Sequence, residues 1–190
     1  MKNKIWIFAL VVLGMLSMLF NSCKKEETND PAPVISDENF YLEIAVSLIN
    51  CYTDIYNQNL AGKPTGNQNI TASGPMGGMV TITGSDSYDN THGITTTNLL
   101  LAMEAVNYTY TYTGNNNKSW VTQIKITGST TYSGSFSDSY TSVNHQAANL
   151  HIAGTVSYDG IVREINTSGS VNINRSSTTS ANIFGHSVSW

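Results

Sequence analysis

One template recurs three times in this chain and limits the possible folds more than any other feature. Val80, Ile82, Gly84 and Tyr88 are matched by Ile124, Ile126, Gly128 and Tyr132, and again by Leu150, Ile152, Gly154 and Tyr158. Val171 and Ile173 keep only the paired β-branched positions of a fourth copy. Side chains alternate faces along a strand, so within each copy these residues share one face and mostly polar residues take the other. The position between glycine and tyrosine is Asp86, Thr130 or Val156 in turn, which predicts a wetter inner face toward the tyrosines. The repeat glycines lie 44 and 26 residues apart, and steps that unequal exclude a solenoid with one unit per turn. They fit an antiparallel meander whose hairpins differ in length.

A glycine inside a strand weakens it unless a bend or a close backbone approach requires it. One buried helix can supply that approach. Phe40, Ile44, Leu48, Cys51, Tyr52 and Ile55 fall at helical spacing, and Leu42, Val46 and Ile49 broaden the stripe. Ser36 or Asp37 suits the N-cap, Glu38 suits the positive end of the helix dipole, and Gly62 and Pro64 end the helix. The expected fold is α+β: a helix over 37–61 packed on the concave face of a curved antiparallel sheet over 66–190. The sheet is read as a half-barrel or open barrel with meander connections, its glycines lying under the helix. Cys51, inside the apolar stripe, reads as a buried inert thiol.

The segment Val106 to Thr113 alternates cleanly, with Val106, Tyr108, Tyr110 and Tyr112 on one face. Pairing Tyr112 with Trp120 sets Tyr110 against Thr122, Tyr108 against Ile124 and Val106 against Ile126, so the apolar faces match without a slip. Leu99, Leu101 and Met103 are odd-numbered, which requires a bulge or turn near Glu104 and Ala105. A two-residue hairpin at Asp159 and Gly160 pairs Val156 with Arg163 and places a charge on the apolar face, where it needs a partner. The alternative is a bulge that turns Arg163 outward.

The N-terminal segment has a different character. Lys2 and Lys4 precede an apolar run from Ile5 to Phe20, the layout of a secretory signal peptide over residues 1–22. As a helix this run spans about 24 Å, short of the ~30 Å hydrocarbon core of a bilayer. Leu19, Phe20, Asn21, Ser22 and Cys23 resemble a bacterial lipobox, and Lys24, Lys25, Glu26 and Glu27 resemble the charged export signal of Bacteroidetes-type surface-exposed lipoproteins. The resemblance is limited to these residues. It implies acylation of Cys23, palmitate included, and a membrane partner held through N-terminal acyl chains. It also implies export by the secretory pathway to the outer membrane or cell surface. A plain signal peptidase site with Cys23 incidental is the alternative. Residues 23–35 are polar and contain proline, so they read as a flexible tether, and 36–190 read as a single domain.

Only 12% of the residues are charged and 40% are hydrophobic, which is unlike a charged disordered tail. The formal net charge is -4, and the leader holds two of the 9 basic residues and none of the 13 acidic ones. Its removal makes the body more acidic, which argues against nucleic acid as a partner. Two cysteines exclude a four-cysteine zinc site. The sequence carries no nucleophile elbow, zinc-protease helix, phosphate-binding loop or Cys-x-x-Cys. No metal, cofactor or catalytic activity is therefore expected, and His92, His145, His151 and His186 are read as ordinary histidines. Asp86, Asp89 and Asn90 read as a solvated turn rather than a calcium loop.

The remaining ligand-binding candidates are Tyr110, Tyr112, Trp120 and Arg163. Alternate aromatics on a strand are commonly packing, but the outer pair Tyr112 and Trp120 can instead line a mouth past the helix end. The expected function is a lipid-anchored cell-envelope protein acting as a binding or structural module, with a glycan or envelope protein as partner. Two alternatives stand beside it. A glycan-active surface hydrolase needs two carboxylates facing across a cleft. The helix-on-half-barrel build also resembles lipoprotein carriers, which implies a hydrophobic ligand in the concave sheet.

Overall fold

The computed structural model describes residues 34–114 and 117–190, and residues 34–190 form one compact unit. Cys23, the export residues Lys24 to Glu27 and the signal segment lie outside the described residues. Among those described, no helix is long and apolar enough to cross a membrane.

Helix α1 (Asp37–Asn59) begins where its capping signals put it, with Ser36 Oγ accepting the Asn39 amide at 3.3 Å and Asp37 and Glu38 in the first turn. The amides of Leu60 and Ala61 both turn back to the Tyr56 carbonyl, and Gly62 takes a φ of 71°, so α1 stops two residues before the expected end. Ile44, Leu48, Cys51, Tyr52 and Ile55 are fully buried, as the spacing requires. Burial, reinforced by Asp54, pushes the Cys51 thiol up to about 12, which keeps it protonated and unreactive.

The chain then forms β1 (Gly66–Ser73), β2 (Met79–Asp89), β3 (Ile94–Thr113), β4 (Ser119–Ser137), β5 (Tyr140–Tyr158), β6 (Ile161–Arg175), β7 (Thr179–Ile183) and β8 (His186–Ser189). All pair antiparallel in sequence order, giving an eight-stranded meander that is not closed into a barrel. The expected register holds: Tyr112 pairs with Trp120, Tyr110 with Thr122, Tyr108 with Ile124 and Val106 with Ile126. The bulge also falls between Met103 and Val106, where Ala105 takes a φ of 51°. A second parity switch, not foreseen, lies in β5, where Val143, His145 and Ala147 face inward before Leu150, Ile152 and Val156 do. Extra residues at Ala148 and Asn149 disturb pairing with both β4 and β6.

Two expectations about the repeat need correction. The inner face is not uniformly wetter toward its tyrosines: Thr130 and Val156 are fully buried, and only the first copy opens, with Tyr88 50% exposed. Nor does the helix explain the glycines. A Cβ at Gly84 (φ 123°) would run into the Asn98 carbonyl, and one at Gly154 into the Gln123 carbonyl, both on the adjacent strand. Each of these glycines pairs with a bulky inward residue, Leu99 or Ile124. The close approach is strand to strand.

Gly84→Ala combines an unfavourable φ with a backbone collision and should destabilise the domain by about 2–4 kcal/mol, whereas Ser85→Thr on the opposite face should stay within about 0.5 kcal/mol. Urea unfolding of the two variants checks this, and equal effects would mean the glycine contact is not needed.

Candidate functional site

The register brings most of the aromatic candidates together at one end of the sheet. Tyr112, Trp120, Tyr158 and Ile161 form one row across β3, β4, β5 and β6. Trp120 and Tyr158 stack with ring centroids 4.3 Å apart, and the Tyr110 and Tyr112 rings lie 6.2 Å apart. Lys118 pairs with Asp159 at 2.7 Å and sits 5.8 Å from the Tyr158 ring centroid. Exposure rises along β3 toward the loop. Tyr108 is 6% exposed and donates to Asp54 Oδ2 at 2.8 Å, while Tyr112 is 41% exposed.

Behind this row lies a group that the sequence reading passed over. Glu43 is 3% exposed on α1 and bonds with the Tyr112 hydroxyl, yet its Oε2 has no partner. Burial raises the Glu43 carboxyl to about 7, partly offset by the Tyr112 bond. The Tyr112 hydroxyl is pushed up in turn, first by burial and then by Glu43. Tyr112 therefore lies beside the second turn of α1. The signal was present, since Glu43 falls between Phe40 and Ile44 on the apolar stripe.

Arg163 is placed differently. Pairing runs without a bulge from Tyr158–Ile161 through Val156–Arg163, so Arg163 stays on the inner face rather than turning outward. Its Nη2 lies 2.6 Å from Asp37 Oδ1, its Nη1 donates to the Ile35 carbonyl at 3.3 Å, and its guanidinium covers Phe40 at 4.0 Å from the ring centroid. These contacts fasten the start of α1 to β6.

The histidines also separate. His92 pairs with Asp89 at 2.6 Å, His151 contacts Ser168 Oγ at 2.9 Å, and His186 stacks on Tyr41 with centroids 3.8 Å apart. His145 is not an ordinary satisfied histidine: it is 1% exposed, lies between Tyr52 and Tyr132, and neither ring nitrogen has a hydrogen-bond partner. Burial, then Arg175, pushes its ring down to about 3, so it stays neutral. Asp86 departs from the solvated-turn reading as well. It points inward at 5% exposure, and its Oδ1 accepts from Gln68 Nε2 at 2.8 Å and from the Gly66 amide at 3.3 Å. Among the described residues, no cluster of His, Cys, Asp and Glu is arranged to hold a metal ion.

No family model, curated protein or solved structure matches this chain.

The raised Glu43 carboxyl has a definite pH signature. Between about pH 4.5 and 7 the folded state keeps a proton that the unfolded chain has released, so stability falls as pH rises through this window. The loss should be roughly 1–3 kcal/mol, and Glu43→Gln should remove it. Denaturant midpoints at pH 5 and pH 8 for both proteins test this, and identical slopes would exclude Glu43 as the source.

Proposed function

We propose that this chain is a lipid-anchored protein of the cell envelope, held through Cys23, whose folded domain is a binding module. The ligand face is the aromatic row of Tyr110, Tyr112, Trp120 and Tyr158. One observation carries this reading: exposed Tyr112, paired with Trp120, has a buried carboxyl behind it with one oxygen unpartnered. Such a face offers ring area together with a hydrogen-bonding group, the combination that glycan or envelope-protein ligands use.

The domain geometry belongs to the same proposal, with the sheet curling as a half-barrel around α1. Arg163 and Arg175 both lie on β6 and meet α1 at Asp37 and at Thr53, so the helix runs along the strands. A helix about 10–12 Å wide, over strands about 4.8 Å apart, reaches only about two or three strands of a flat sheet. Side chains of α1 meet Tyr108 on β3, Phe136 on β4, His145 on β5, Arg163 on β6 and His186 on β8. That reach supports a curved sheet.

The binding reading is preferred over the others on two grounds. A hydrophobic cargo in the concave face would have to displace α1, whose Ile44, Leu48 and Ile55 are fully buried there. A hydrolase needs two facing carboxyls, whereas Asp37, Asp54, Asp86, Asp89 and Asp159 are each engaged with a different partner.

The anchor is tested by detergent-phase partitioning: Cys23→Ala should leave the membrane phase, and unchanged retention would sink the assignment. The ligand face is tested by melting. Tyr112→Ala should change stability by less than about 1 kcal/mol, whereas a core aromatic costs about 3–5 kcal/mol on truncation. Early melting of both Tyr112→Ala and Trp120→Ala would favour a structural module instead.

A further inference from the structure

A recess lies at the end of α1 opposite the aromatic row, and none of the residues considered above as a ligand face contributes to it. Its volume is about 420 Å3. The last turn of α1 and the following segment provide Tyr56 and Lys63, and the inner face of β2, β3 and β4 provides Asp86, Tyr88, Thr95 and Phe136. Tyr88, Thr95 and Phe136 form one register row, so the two rings flank a threonine. The next row inward is Asp86, Thr97 and Gly134, and the glycine contributes no side chain to fill the space. Tyr56 packs edge-on against Phe136 with centroids 5.3 Å apart, which fixes that wall.

The chemistry of the recess is unbalanced in an informative way. Asp86 is 5% exposed, and its Oδ1 fastens the start of β1 through Gly66 and Gln68. Among the described residues no donor reaches Oδ2, and no cation lies within ion-pair distance of the carboxyl. Oδ2 is not sealed off from solvent, so within the recess it is an acceptor that water or a ligand hydroxyl can reach. Tyr88 beside it is half exposed. Because Lys63 also lines the recess, a simple ammonium ligand would meet a like charge, and a simple anion would meet Asp86. A polyhydroxylated ligand satisfies both, donating hydroxyls to Asp86 Oδ2, accepting from Lys63 and laying its apolar face on Tyr88.

From this arrangement we infer that the recess between the end of α1 and the row Tyr88, Thr95 and Phe136 is a saccharide-binding site, with Asp86 as its hydrogen-bond acceptor and Tyr88 as its stacking platform. The site takes one or two sugar rings, in keeping with its volume. It stands independently of the Cys23 anchor and of the Tyr112 face.

The test is binding of the full chain in detergent micelles to an immobilised panel of mono- to tetrasaccharides, with choline chloride and inorganic phosphate as competitors. At least one saccharide should bind, and neither competitor should displace it. Tyr88→Ala and Asp86→Asn should each weaken that binding by about tenfold or more, the loss expected when a buried hydrogen bond or a stacking platform is removed. Val162→Ala, on the exposed outer face of β6, should leave it unchanged. Tyr88 is half exposed, so its variant keeps the test valid even if Asp86→Asn disturbs β1. Absence of binding to the whole panel, displacement by choline or phosphate, or binding that survives Tyr88→Ala would overturn the assignment. Loss on Tyr112→Ala alone would place the sugar on the other face and overturn it too.

Discussion

Burial of one sheet face by one helix is the constraint on which the rest of this structure depends. An open eight-stranded meander presents its inner apolar side chains to water unless something covers them, and among the described residues α1 is the helix that does so. Its stripe from Phe40 to Ile55 packs with Val80, Ile82, Leu101, Ile126, Ile152 and Ile173 in a single core. Hydrophobic burial is non-directional, so it does not by itself fix where the helix lies. Directional contacts do that: Arg163 with Asp37 at one end, and Tyr108 with Asp54 farther along.

Long strands need relief from their own regularity. Strands β3, β4 and β5 each carry about twenty residues, and each ladder among them is interrupted once by a shift in register. The glycines work in the same direction, because their missing Cβ atoms let adjacent backbones approach where Leu99 and Ile124 fill the inner face. Bulges and glycines thus both relieve the regularity of the ladders while the apolar residues stay inward.

The polar groups where helix and sheet meet set the two ends apart. Glu43 lies under the aromatic row near the start of α1, and Asp86 lies under the recess near its finish. Each has one oxygen engaged, but Glu43 Oε2 is buried without a partner, whereas Asp86 Oδ2 is open to the recess. His145, between them, remains neutral and acts as a ring rather than as a base. Polar atoms left unsatisfied in a core are destabilising, and Glu43 Oε2 is one of them.

The sequence by itself determined the start and buried stripe of α1, the meander, the pairing of Tyr112 with Trp120, the hairpin at Asp159 and Gly160 and the bulge near Ala105. All of these follow from periodicity within an element or from pairing across a short connection, which a single chain displays directly. Glu43 was legible only as an acidic residue on an apolar stripe, and Asp86 only as an exception within a repeat. What lies opposite each of them was decided by tertiary structure. Tyr112 reaches Glu43, and Tyr56 and Lys63 come to face Asp86, only because α1 docks on strands distant from it in the chain. Likewise, the repeat marked Gly84 as special, but only the assembled sheet showed that the neighbouring backbone, and not the helix, requires it. Periodicity tells a residue which face of its own element it occupies, while the identity of its neighbour depends on non-local packing that no local pattern encodes.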